Sequence, residues 1–290
     1  MKKVLILLIY LFSSLAFAGD PNVKILMIGD SWAKLMCLDS SIDEALEHFS
    51  ISAGVSCMRT SLMGIRAAQL NLPEKQLIIK KAFAEMKNIE VIILSIGGND
   101  YFSELKANVT AEQFKEISAK IGREIKKNIE FIQAQKPNLK IIISGYDYAN
   151  FSVLSEPNFL TNHYISMFNR AGRPTAEQLN NAFIEMNRQY VLLSREMSNV
   201  YFSNHMGMIH FYFGIPEHGI KKYATPFPGQ YPDYNPLFGG DHRYGNTISA
   251  LFTLPFDYKD FVDPYHLNKT GFKVIGEHLV GFYIRHMLSK

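Results

Sequence analysis

Lys24-Ile25-Leu26-Met27-Ile28-Gly29-Asp30-Ser31-Trp32 decides the fold. Its apolar run is too short for an ordinary helix and ends at a turn signal, so it predicts a strand buried on both faces. Gly29 and Asp30 turn the chain, and Ser31 follows at the strand's carboxyl end. In an open α/β sheet that end faces the crevice where ligands bind, so a hydroxyl there is placed for nucleophilic chemistry. Glycine, aspartate and serine are also ordinary turn formers. The stretch gains a chemical meaning only if partners stand elsewhere in the chain.

The same pattern recurs downstream. Ile89 to Ile96 and Leu139 to Ser144 are short apolar runs, each followed by a Gly-containing turn, and they predict further buried parallel strands. Two more polar candidates lie around Phe49 to Val55 and at Val200 to Ser203. Helices are announced between them. Thr110-Ala111-Glu112-Gln113 and Thr175-Ala176-Glu177-Gln178 are capping boxes. Behind the first, Phe114, Ile117, Ile121, Ile125, Ile129 and Ile132 recur at three- and four-residue steps, and behind the second Leu179, Phe183, Met186, Tyr190, Leu193 and Met197 do the same. Gly64 to Leu72, stopped by Pro73, and Gly271 to Met287 complete the predicted helices. Strands alternating with helices give an α/β fold with a parallel sheet.

Composition narrows the function classes. Lys2 and Lys3, the apolar stretch Val4 to Phe12 and the small-x-small pattern Ala16-Phe17-Ala18 predict a secretory signal over residues 1–18. The apolar stretch falls well short of the about 20 residues a membrane span needs. Residues 19–290 are then expected to form one exported domain, periplasmic or secreted, with no integral membrane segment after cleavage. Taking Lys2 and Lys3 from the 30 basic residues leaves 28 against 27 acidic ones, a near-neutral chain with no general attraction for nucleic acid. Cys37 and Cys57 allow one disulfide or two buried thiols. No Cys-x-x-Cys, His-Glu-x-x-His or acidic calcium loop is present, so neither a metal nor another cofactor is expected.

Two further segments bear chemistry. Ile96-Gly97-Gly98-Asn99-Asp100 closes the most hydrophobic strand, and an asparagine amide at a strand tip can donate to an oxyanion. A tight turn would use the same residues. Near the carboxyl end, Asp263-Pro264-Tyr265-His266-Leu267-Asn268 places an aspartate three residues before a histidine, just ahead of a predicted helix. Acyl transfer by a serine needs a base for its proton and a group to hold the imidazole, and Asp263 and His266 provide both. His242 in Gly239-Gly240-Asp241-His242 is a rival base, better read as a loop histidine. Ser144-Gly145-Tyr146 lacks the Gly-x-Ser-x-Gly elbow of an α/β-hydrolase proper.

Taken in order, Gly29-Asp30-Ser31, Gly97-Gly98-Asn99-Asp100 and Asp263-Pro264-Tyr265-His266 resemble the signature of the SGNH or GDSL-type serine hydrolase superfamily, across essentially the whole chain after residue 18. The resemblance implies a flavodoxin-like three-layer α/β/α fold and a serine esterase or lipase. It implies Ser31 as nucleophile, His266 as base and Asp263 as its orienting group. The oxyanion would be held by the backbone N–H of Ser31, a glycine N–H and the Asn99 amide. Gly54 and Gly64 both fall in the interval where that glycine belongs; Gly64 is preferred, because the helix predicted from it would leave its N–H unpaired. Asp30 and Asp100 are expected to brace the turns, and Trp32 to pack beside Ser31. The aromatic-rich segment at about 210–262 runs up to the Asp-His pair and is expected to cover the cleft. The substrate classes this leaves are small or medium acyl esters, lysophospholipid-like esters and O-acetylated polysaccharide. A non-catalytic glycan- or lipid-binding module is the alternative of another kind.

Overall fold

The computed structural model describes residues 21–57, 59–104, 106, 108–149, 161–214, 219, 221–223, 249–251 and 262–288, apart from the side chains of 161, 163, 164, 249–251, 262 and 263. Five strands, β1 (Val23–Gly29), β2 (Gly54–Ser56), β3 (Val91–Ser95), β4 (Lys140–Ser144) and β5 (Val200–Ser203), form one parallel sheet in the order β2-β1-β3-β4-β5. In register, residues 25–28 of β1, 91–94 of β3 and 141–143 of β4 make an unbroken apolar slab, fully buried. Parallel strands read as continuous apolar runs because helices cover both faces.

The covering helices are α1 (Ser31–Leu38), α2 (Ser41–His48), α3 (Ala67–Leu70), α4 (Pro73–Glu85), α5 (Gly98–Glu104), α6 (Ala111–Gln133), α7 (Thr161–Arg170), α8 (Ala176–Glu196) and α9 (Met208–Phe213). A two-stranded antiparallel ladder, β6 (Ser249–Leu251) and β7 (Val262–Leu267), precedes α10 (Lys269–Leu279), a π turn at Val280–Ile284 and α11 (Arg285–Leu288). α10 packs on α1 and α2, while α6 packs on α3, α5 and α8. With right-handed crossovers these groups lie on opposite faces of the sheet, giving the three layers and the flavodoxin-like strand order.

Both capping boxes form. Thr110 Oγ1 accepts the Gln113 N–H at 3.2 Å and Gln113 Oε1 accepts the Thr110 N–H at 2.9 Å, and Thr175 with Gln178 repeats the pair at 3.1 and 2.8 Å. The stripes behind them are core: Ile121, Ile125, Ile129 and Ile132 of α6 and Leu179, Phe183, Met186, Tyr190 and Leu193 of α8 are buried.

Boundaries differ from expectation in four places. The helix predicted from Gly64 begins only at Ala67, because Gly64 has φ +74° and a left-handed residue cannot sit in a right-handed helix. Pro73 opens α4 rather than stopping the helix before it, as its fixed φ and missing N–H allow. The last predicted helix starts earlier, at Lys269 behind the Asn268 cap, and is interrupted by the π turn. The strand expected at 49–55 shortens to β2. Cys37 of α1 and Cys57 just past β2 are disulfide-bonded, with Cα atoms 6.3 Å apart.

Candidate active site

Strand order reverses between β1 and β3, and the crevice beyond their carboxyl ends is the place such a sheet opens to a ligand. Ser31 is there as the first residue of α1, almost wholly buried. Gly29 brings it there. A side chain on Gly29 (φ +144°) would collide with the Ser95 carbonyl, so only glycine lets the end of β1 press against the end of β3. The Asp30 N–H then donates to that same Ser95 carbonyl at 2.8 Å.

Asp30 is the N-cap of α1. Its Oδ1 accepts the Trp32 N–H at 3.0 Å, and its Oδ2 accepts the Tyr146 hydroxyl at 2.5 Å. The Tyr146 oxygen in turn accepts the Gly98 N–H at 3.1 Å, joining the end of β4 to the start of α5. Burial pushes the Asp30 carboxyl up to about 7, against the opposing pull of the Tyr146 hydroxyl, the Trp32 N–H and the neighbouring His266. Asp100 is buried too, and its Oδ2 accepts the Ala67 N–H at 2.7 Å, capping α3 from across the crevice.

His266 reaches Ser31 through a break in a ladder. Ser249 pairs with Leu267 but Ala250 pairs with Asp263, so residues 264–266 bulge out of β7. Pro264 suits that bulge, since it has no N–H to give the ladder. The Trp32 Nε1–H donates to the Tyr265 carbonyl at 3.1 Å and ties the bulge to α1. His266 Nε2 lies 2.6 Å from Ser31 Oγ, bridging residues 235 positions apart. A general base requires that separation of an incipient nucleophile. Asp263 is described by its backbone alone, three residues before His266 in β7.

Asn99 and Gly64 line the same cavity as Ser31 and His266. The Asn99 Nδ2 group donates to the Ile65 carbonyl at 3.1 Å, and its second contact, to Asp30 Oδ2, is long at 3.5 Å. Gly64 sits in the turn before Ile65, and its N–H meets no acceptor among the described residues. Gly54 is elsewhere. It pairs with Val23 at the opposite end of β1, and its N–H is taken by the Asn22 carbonyl at 2.7 Å.

The cavity holds about 660 Å³ and has aromatic walls from Trp32, Phe102, Tyr146, Phe183 and Tyr265. These walls come from the sheet and helices. Of the aromatic-rich segment, the described Phe211, Tyr212, Phe213 and Tyr223 do not line the cavity, and Tyr223 packs against Phe211 and Tyr212. The rest of that segment, His242 and the expected signal segment lie outside the described residues. The contribution of Tyr146 was missed from sequence, although Ser144-Gly145-Tyr146-Asp147 ends a predicted strand and the strand-tip rule could have found it. His205 is a buried structural histidine: its Nε2 is 2.9 Å from Ser203 Oγ, its Nδ1 is 3.1 Å from the Gly145 carbonyl, and burial pushes it down to about 3. Among the described residues no cluster of three His, Cys, Asp or Glu is placed to hold a metal ion, and no helix is long and apolar enough to cross a membrane.

Solved structures of similar backbone include a carbohydrate esterase family 3 protein from Talaromyces cellulolyticus, at 10% identity over 91% of this chain and 98% of that one, with a TM-score of 0.49. A lipase from a goat rumen metagenome matches at 11% identity over 89% and 96%, TM-score 0.43. A member of the lipolytic G-D-S-L family from Veillonella parvula matches at 13% over 91% and 99%, TM-score 0.43. No curated protein matches the sequence. The family model described as GDSL-like Lipase/Acylhydrolase matches residues 25–279, from within β1 to the end of α10, so the chain belongs to the GDSL-like lipase/acylhydrolase family.

Proposed function

We propose that this chain is an exported carboxylic ester hydrolase that works through an acyl-enzyme on Ser31. The observation that carries the reading is the 2.6 Å approach of His266 Nε2 to Ser31 Oγ at the mouth of an aromatic-walled cavity. Ser31 Oγ attacks the ester carbonyl while His266 takes its proton. Charge collects on the carbonyl oxygen, which the Ser31 N–H, the Gly64 N–H and the Asn99 amide, all lining the one cavity, would hold. Two features support those donors: Ser31 opens a helix, so its N–H has no intrahelical acceptor, and the Gly64 N–H has none among the described residues. The long Asn99 contact to Asp30 marks the amide hydrogen that would turn to the oxyanion. Collapse of the intermediate breaks the carbonyl–alkoxy bond as His266 returns the proton to the leaving alcohol. Water, deprotonated by His266, then releases the acid and regenerates Ser31. In this scheme Asp263 orients the imidazole.

The cavity is of the size that holds small ligands, which favours esters of small or medium acyl groups, including lysophospholipid-like ones. A fluorophosphonate probe tests the reading directly. Covalent labelling at Ser31 that disappears in Ser31→Ala is expected; a folded protein that never labels is a binding module instead. Comparison of p-nitrophenyl esters of increasing chain length with acetylated xylan and peptidoglycan then separates the substrates. Activity confined to glycan acetyl groups replaces the first choice with a polysaccharide O-acetyl esterase. Export is tested by sequencing the amino terminus of the protein recovered outside the cytoplasm, expected to begin at Gly19.

A further inference from the structure

Three cations line the cavity that holds Ser31: Arg66, Lys106 and Arg170. They come from separate elements. Arg66 follows Ile65, whose carbonyl takes the Asn99 amide, so it stands beside one wall of the site. Lys106 lies just past α5 and its Nζ is 3.5 Å from the carbonyl of Arg170, the last residue of α7, so these two stand together. The Arg170 guanidinium donates to Ser166 Oγ at 3.0 Å, a neutral partner. No described carboxylate forms an ion pair with any of the three, whereas Arg59, Lys126, Lys127 and Lys269 elsewhere pair with Glu85, Glu196, Glu124 and Glu44. Arg66 does feel Asp100, but that carboxylate is buried and occupied by backbone N–H groups.

The acidic residues lining the cavity do not offset this charge. Asp30 is engaged by Tyr146 and Trp32. Asp147 accepts the N–H groups of Tyr148, Gly207 and Ile209 at 2.7 to 2.8 Å. Both are buried, and burial raises both to about 7, which favours their neutral forms. A concave, low-dielectric site with cations of one sign at its rim focuses its field on anions.

We propose that the substrate taken at Ser31 is an anionic ester, one carrying a carboxylate or phosphate outside the scissile bond, and that Arg66, Lys106 and Arg170 recognise that group. This rests on the ester hydrolase reading of Ser31. The anion gains three exposed cations rather than one buried partner, so each contributes modestly, about threefold to fivefold in specificity.

Two pairs of probes test it. Mono-p-nitrophenyl glutarate against p-nitrophenyl valerate places a carboxylate on the acyl side; 1-butyryl-glycerol 3-phosphate against 1-butyryl-glycerol places a phosphate on the alcohol side. One anionic member is expected to exceed its neutral partner in kcat/KM by about tenfold or more at low salt, with the ratio falling toward one in 0.5 M NaCl. Whichever pair shows it identifies the anion. In Arg66→Gln/Lys106→Gln/Arg170→Gln the ratio collapses, and Arg66→Lys/Arg170→Lys restores most of it; a ratio within one variant is insensitive to loss of folded protein. Ratios at or below one for both pairs, or a ratio the triple variant leaves intact, overturn the proposal. The same esters titrated into Ser31→Ala read the preference without turnover. Preferential binding there without hydrolysis by the intact enzyme would remove the esterase reading and keep the anion site; hydrolysis of neutral esters without any preference would do the reverse.

Discussion

Tyr146→Phe removes one oxygen and breaks two buried contacts, the donation to Asp30 Oδ2 and the acceptance from the Gly98 N–H. The ring remains, so its packing against Trp32, with centroids 5.2 Å apart, is preserved. Two terms set the magnitude. Leaving the Gly98 N–H unsatisfied in the interior costs about 1–3 kcal/mol, and a hydrogen bond to an ionised carboxylate is itself worth about 1.5–3 kcal/mol. Part of each loss is recovered by relaxation, and we expect a total of about 2–4 kcal/mol when Asp30 is charged.

The pH dependence is the sharper outcome. Burial has raised Asp30 to about 7 in the folded chain, so its contribution to stability is fully present below the unfolded value and is lost as pH rises through 7. The Tyr146 hydroxyl holds that value down; without it the carboxyl titrates higher, and the loss continues to higher pH, at about 1.4 kcal/mol for each pH unit of further displacement. Urea unfolding followed by circular dichroism should therefore show Tyr146→Phe less stable than the parent by about 1–2 kcal/mol at pH 5, where only the unsatisfied Gly98 N–H counts, and by about 1–2 kcal/mol more at pH 8.5. Equal destabilisation at both pH values would refute the reasoning, because it would mean that no charge on Asp30 leans on the tyrosine.

Asn99→Ala should lower kcat by about 10²–10³ with little change in KM, the pattern of a donor used only in the transition state; an equal rise in KM would count against it. Gly64→Ala meets nothing within 4 Å of the new methyl, so steric overlap is absent and only the strain at φ +74° remains, about 1–2 kcal/mol, read as a loss in Tm and in kcat. Trp32→Phe keeps an apolar ring but gives up the bond to the Tyr265 carbonyl; a fall of about tenfold or more in kcat is expected from a loosened His266, measured with p-nitrophenyl butyrate. Cys37→Ser/Cys57→Ser opens a loop closed across 20 positions and should cost about 3 kcal/mol in urea unfolding, with Ser31 labelling retained in the folded fraction.

What was legible from the chain follows from the range of the forces involved. Strands β1, β3 and β4 were readable because full burial writes itself as an apolar run, and α6 and α8 because a capping box is satisfied within four residues. Ser31, Asn99 and His266 could be singled out together because chemistry restricts which residue types serve, and the fold brings all three to one cavity. The bulge at 264–266 was not, since it depends on a partner strand and on Trp32, 233 positions from the carbonyl it holds. Nor was the left-handed turn at Gly64, where the same glycine that suggested a helix start prevents one. The strand tip marks Tyr146 as facing the crevice, but its bond to Asp30 spans 116 positions, and no local pattern names that partner.

That bond also explains why Asp30 is more than a turn former. One oxygen of its carboxylate fixes the first turn of α1, and with it Ser31; the other, through Tyr146, fixes the Gly98 N–H at the head of α5, and with it Asn99. The proposed nucleophile and the side-chain oxyanion donor therefore take their positions from the same carboxylate, although β1 and β3 deliver them separately. Donors set in place before reaction need no reorganisation as charge develops, and that is the condition under which they are most effective. Burying the carboxylate is unfavourable, as its rise to about 7 shows. An arrangement that opposes folding yet aligns two helix starts on one crevice is what a preorganised site requires and a merely stable turn would not.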